Sequence, residues 1–152
     1  MGSGAEQVYV VWDLWDGVRS GIADYDGAPH FFEYKFDNDL ADFSEVFELR
    51  MIDAETLQMA LDQWAIYRAW EAQFHSGRVK LETHPGHGGI DQQYDQLEQA
   101  LKQRISEAPV VAQVGARFQP IERQTDRPYG CLLDMEVMWS EAQICVKSPS
   151  PT

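Results

Sequence analysis

Two Asp-Gly pairs, Asp16-Gly17 and Asp26-Gly27, lie ten residues apart within the run from Val8 to Phe36. A two-residue type I′ turn requires positive φ at both central positions. Asp tolerates that conformation and Gly adopts it freely, so each pair between hydrophobic runs predicts a tight hairpin. The chain therefore opens as a three-stranded antiparallel meander. Counting outward from the turns sets Trp15 opposite Val18, Asp13 opposite Ser20 and Trp12 opposite Gly21. Across the second turn it sets Tyr25 opposite Ala28, Gly21 opposite Phe32 and Ser20 opposite Glu33. Alternation then gathers Val10, Trp12, Leu14, Ala23, His30, Phe32, Tyr34 and Phe36 on a core face. Gly21 is weak in a strand and is expected where two large rings, Trp12 and Phe32, close over bare backbone. The other face carries Val11, Asp13, Trp15, Ser20, Ile22, Asp24, Phe31, Glu33 and Lys35, a mixture that does not read as plain solvent surface.

After the acidic stretch 37–44, a fourth strand is expected over about 45–52, where Phe47, Leu49 and Met51 alternate with Glu48 and Arg50. Asp53 then caps a long helix that runs to about His75 and stops at Gly77. Leu57, Leu61 and Trp64, with Ile66, Trp70 and Phe74 on an adjacent track, give it a wide apolar surface expected to be largely buried. Asp91 caps a second helix, striped with Tyr94, Leu97, Leu101 and Ile105, which ends before Pro109. Two strands follow. One has Ala112, Val114, Ala116 and Phe118 as its apolar set, and the other has Cys131, Leu133, Met135, Val137 and Trp139. The predicted fold is α+β, a mainly antiparallel sheet with two helices in the order ββββααββ. Residues 8–146 read as one domain, 1–7 as a small polar tail unlike a signal peptide, and 147–152 as a flexible Pro/Ser-rich tail.

The 152 residues carry 25 acidic against 12 basic side chains, a formal charge of −13. That field repels nucleic-acid phosphates and anionic lipid and favours a basic protein or a cationic ligand. No apolar stretch approaches the length of a membrane span. Cys131 and Cys145 show no CxxC spacing, which suits buried or free thiols in a reducing cytoplasm.

No fingerprint for nucleotide binding, nucleophile elbow or zinc protease occurs in the chain, and no cofactor is called for. His84 and His87 are spaced like half a metal site. Without positioned partners they read as part of a turn-rich connector, and no metal is assigned. His30, on the apolar face, reads as a hydrogen-bonded core histidine. Arg68, three residues before Glu71, is expected to form a structural ion pair beside aromatic packing. Its functional alternative is an anion or ligand contact held in place by Glu71.

The segments Ser20-Gly-Ile-Ala-Asp-Tyr-Asp-Gly-Ala-Pro-His-Phe-Phe-Glu33, Trp64-Ala-Ile-Tyr-Arg-Ala-Trp-Glu71 and Thr83-His-Pro85 resemble a group of small uncharacterised bacterial proteins, over roughly residues 8–90. The resemblance implies a bacterial cytosolic protein and transfers no functional residue. From the residues themselves, the leading expectation is an acidic module, immunity-like or regulatory, that binds a protein with a basic surface. Its candidate face is Asp13, Trp15, Ser20, Asp24, Phe31 and Glu33. The alternative is a small hydrolase or ligand-binding enzyme using the Asp13 and Glu33 carboxylates, with or without a divalent cation.

Overall fold

The computed structural model describes residues 4–14, 17–35, 46–121 and 130–141. The elements run β1 (Glu6–Leu14), β2 (Val18–Tyr25), β3 (Ala28–Lys35), β4 (Val46–Met51), α1 (Ala54–His75), α2 (Gln92–Glu107), β5 (Val110–Pro120) and β6 (Met135–Glu141). Two short 3-10 turns, Leu81–Thr83 and Pro85–His87, lie between the helices. This is the α+β order read from the sequence. None of the helices described is long and apolar enough to cross a membrane.

The chain divides into two compact units. The first holds the strands, which close into a barrel in the order β1-β2-β3-β4-β5-β6. All the mapped ladders are antiparallel, and β1 meets β6 through Glu6 with Val137 and Gln7 with Glu136. The turn at Asp26-Gly27 has φ of 54° and 80°, as a type I′ turn requires. The Glu6 carboxylate accepts from the amides of both turn residues, at 3.0 and 2.7 Å. The β2–β3 register follows the count from that turn, Tyr25 with Ala28, Gly21 with Phe32 and Ser20 with Glu33. Phe32, Phe47, Phe118 and Trp139 form one cluster of rings with centroids 5.2–6.1 Å apart, and Phe32 and Phe47 are fully buried. His30 is buried beside them, its Nδ1 2.7 Å from the Ala28 carbonyl and its ring edge-on to Tyr25.

The β1–β2 register departs from the count. Leu14, not Trp15, stands opposite Val18, and Val11, not Trp12, stands opposite Gly21, while Asp13 keeps Ser20. Register shifts flank Asp13, and the Trp12 ring lies 6.0 Å from Phe31, on the face predicted to be outer. A bulge carries an extra residue on one strand and switches which face its neighbours take. The ring over Gly21 is therefore Phe32, with the Val10 carbonyl in the place assigned to Trp12.

In the second unit Asp53 caps α1 by accepting from the Thr56 amide at 2.8 Å, and Asp91 caps α2 by accepting from Tyr94 at 2.9 Å. Gly77, at φ 77°, follows the end of α1 as the sequence indicated. The buried stripe of α1 is not the Leu57–Leu61–Trp64 track. Thr56, Ala60, Gln63 and Glu71 are buried, and the leucines and Trp64 are half-exposed. Small residues and Gln63 occupy the tight side of the helix, with Gln63 donating to Glu98 of α2. The large rings line up along the helix instead. Trp64 stacks on Tyr67 and Trp70 on Phe74, with centroids 5.3 and 5.0 Å apart. The segment from Cys131 to Asp134, expected as strand, is not one, because α1 claims its backbone as described below. Trp15, Asp16, Phe36, the stretches 37–45 and 122–129, and Cys145 lie outside the described residues.

Candidate functional site

On the barrel, the registers of three adjacent ladders place Asp13, Ser20, Glu33 and Glu48 in one row across β1 to β4. Ser20 is buried and its hydroxyl donates to Asp13 Oδ2 at 2.8 Å, which orients that carboxylate. Glu33 is exposed. Glu48 is flanked by Lys35 Nζ at 3.5 Å and by Arg50 Nη2 at 3.9 Å. Asp24 accepts from the Tyr9 hydroxyl at 3.0 Å. Burial first, and then that bond, push the phenol of Tyr9 above its usual range. Ile22 and Phe31, on the same face, are buried, whereas Asp13 and Glu33 are exposed, and Val11, paired with Gly21 opposite Phe32, has moved to the core face. Of the candidate face, Asp13 and Glu33 are accessible, Asp24 is half-buried, and Ser20 and Phe31 are buried.

Arg68 belongs to the second unit and sits in a built pocket of polar groups. One terminal nitrogen, Nη1, donates to Glu71 Oε1. The other, Nη2, donates to the Leu132 carbonyl at 2.7 Å and lies 3.4 Å from Asp134 Oδ1. The Leu132 amide returns to Glu71 Oε2 at 2.9 Å. The Arg68 and Glu71 side chains are 10% and 4% exposed, so this pair fastens residues 131–134 to α1. Burial drives the Glu71 carboxyl above its ordinary range, against the pull of the Leu132 amide and the Tyr67 hydroxyl.

His84 and His87 stack with centroids 5.2 Å apart, and His84 also lies 4.5 Å from the Trp70 ring. His84 Nδ1 accepts from the Gly86 amide at 2.8 Å, which caps the 3-10 turn at Pro85 and requires a neutral ring. Trp70 Nε1 donates to Thr83 Oγ1 at 2.8 Å, tying the same loop to α1. Burial, with the neighbouring His87 second, lowers the His84 pKa from its usual 6.5. A histidine whose folded pKa is depressed contributes stability above its unfolded pKa and loses it as pH falls through the folded one. Acidification below about pH 6.5 should therefore loosen the 83–89 loop, and a His84→Gln variant should lack that step. Hydrogen exchange of the Gly86 amide measures it, and identical exchange in both proteins from pH 7 to 5 would refute the capping role.

Among the described residues, one group combines the donor types that metals take. Glu71, His75 and Cys131 each offer an atom, and all lie within 4.8 Å of one another. The sequence reading did not bring these together. Glu71 and His75 have the Glu-x-x-x-His spacing that puts two side chains on one helix face, but Cys131 is sixty residues away, and its assignment to a strand placed it elsewhere. Comparison with protein-family models, curated proteins and solved structures returns no match for this chain.

Proposed function

We propose that the chain is an acidic protein-binding module, immunity-like or regulatory, whose Asp13–Ser20–Glu33–Glu48 row docks against a basic protein surface. One observation carries the reading: Glu33 and Glu48 stand directly opposite each other in the β3–β4 ladder. Like charges so placed oppose folding, and Lys35 and Arg50 offset the repulsion at Glu48 while Glu33 stays open to solvent. A pairing that weakens the fold fits a surface kept for a cationic partner. The field of a −13 chain steers such a partner in, and Leu14, 52% exposed beside Asp13, offers an apolar anchor at the edge of the row.

The test pairs stability with association. Glu33→Gln should raise stability by about 0.2–1 kcal/mol, because it removes the opposed charge. The Asp13→Asn, Glu33→Gln double variant should bind a partner captured by the wild-type protein several-fold more slowly at low salt, with the difference shrinking at high salt. Affinity capture with both proteins as bait, followed by association kinetics at two ionic strengths, gives the result. Capture of the same partner at the same rate by both would remove the acidic row from the interface.

A further inference from the structure

The last turns of α1 carry Glu71 and His75 one helical turn apart, on the same side. Cys131 comes to them from a separate segment, held beside the helix by the two Leu132 hydrogen bonds, with its Sγ 3.8 Å from the Glu71 carbonyl oxygen. The residue before it, Gly130, has φ of 100° and lies so close to the imidazole that a Cβ would stand 2.7 Å from His75 Nδ1. The positive φ favours glycine there, and the imidazole packs against its bare backbone. The outcome is a carboxylate oxygen, an imidazole nitrogen and a thiol sulfur from two chain segments, within 4.8 Å of one another.

We infer that Glu71, His75 and Cys131 bind one divalent ion of the zinc class. The donor set selects the ion. Calcium and magnesium take six or more oxygens, whereas a thiolate and an imidazole suit a borderline-soft ion that accepts four ligands. Tetrahedral zinc, with bonds of roughly 2.0–2.3 Å, holds its donors roughly 3.3–3.7 Å apart. The longest separation here must shorten by about 1 Å on that geometry. His75 is exposed and Cys131 lies outside the strands, so rotation of their side chains supplies the closure while Glu71 stays fixed.

Arg68 does not exclude the ion. A carboxylate has about four acceptor positions, and Arg68 and the Leu132 amide fill one on each oxygen while orienting the group, as outer-shell donors do for ligating carboxylates. Arg68 balances Glu71, the thiolate balances one charge of the ion, and the single positive charge left over is favoured by a chain of net charge −13. Three protein donors leave the fourth position for water, on the side where His75 meets solvent.

The probes are zinc(II) alone and cobalt(II) alone, added to the reduced full-length chain. Zinc should bind in a single saturable step by calorimetry, and cobalt should develop a thiolate-to-metal charge-transfer band. Cys131→Ser should abolish the band and weaken zinc binding by more than the roughly 100-fold that loss of an outer-shell partner costs. His75→Gln should weaken zinc binding by about 10-fold or more and leave the cobalt band in place, and Cys145→Ser should change neither. His75 is exposed, so His75→Gln decides the matter even if Cys131→Ser fails to fold. The inference is overturned if zinc does not bind saturably, if the cobalt band survives Cys131→Ser or vanishes with Cys145→Ser, or if zinc affinity falls with His87→Gln instead of His75→Gln. None of these readouts depends on the acidic row of the barrel.

Discussion

Gly21→Val is expected to destabilise the protein by about 3 kcal/mol or more, lowering its melting temperature by roughly 6–12 °C. The reason lies in what surrounds the α-carbon. A Cβ built there would stand 2.1 Å from the Val10 carbonyl oxygen and 2.9 Å from Cζ of Phe32. A ring tip can turn aside, but a backbone carbonyl held in the β1–β2 ladder cannot, so the strand itself must shift. Phe32 sits at the centre of the aromatic cluster and is fully buried, and any displacement of it is passed to Phe47, Phe118 and Trp139. At a surface strand position the same substitution would be neutral or stabilising, since valine favours strands and restricts the unfolded chain. Thermal and urea melts of the variant decide between these cases. A melting temperature at or above that of the parent would mean that Gly21 does not pack against Val10 and Phe32.

Breaking the Arg68–Glu71 pair from either side should cost about 3–5 kcal/mol, a large share of the stability of a domain this size. Arg68→Ala leaves a carboxylate that is 4% exposed facing only the Leu132 amide and the Tyr67 hydroxyl, and Glu71→Ala leaves a guanidinium that is 10% exposed with a carbonyl and the more distant Asp134. An uncompensated buried charge is the expensive outcome, whereas removal of both charges together is far cheaper. Arg68→Met combined with Glu71→Leu should therefore recover much of the loss. The recovery should stay incomplete because the Leu132 amide loses its acceptor. Urea unfolding of the two single variants and the double variant gives the cycle directly. Single-variant losses below 1 kcal/mol would show that the pair is not what holds residues 131–134 to the helix.

The elements whose signals are local were legible in the sequence. The Asp26-Gly27 turn fixes the register of β2 on β3 because turn chemistry and pairing are coupled over a few residues. Asp53, Asp91 and Gly77 mark helix ends because capping needs particular atoms at particular positions. The bulge around Trp12 was not legible, since nothing in a strand sequence announces an extra residue. The buried stripe of α1 was misread for a related reason. Apolar periodicity predicts which face is hydrophobic, but close packing at Thr56, Ala60 and Gln63 favours small or hydrogen-bonding side chains, and the aromatic rings stack along the helix instead. The candidate row on the barrel followed from the register. The Glu71, His75 and Cys131 cluster did not, because it depends on how Arg68 captures a distant carbonyl.

Closure of the barrel through Glu6–Val137 and Gln7–Glu136 joins positions about 130 residues apart, so the first strand has no second neighbour until the last one has been made. During synthesis β1 to β4 leave the ribosome as an open sheet with unpaired edges, and they must wait through both helices for β5 and β6. Contacts of such sequence separation slow folding, and an open edge is a template for pairing with another chain. The barrel unit is thus exposed to misassembly before its final strand arrives, and a truncation that removes β6 should yield aggregates rather than a smaller folded protein. Once the ring is shut, the seam where β1 meets β6 at Glu6 and Gln7 is closed to strand addition, and recognition of a partner on the acidic row falls to its side chains.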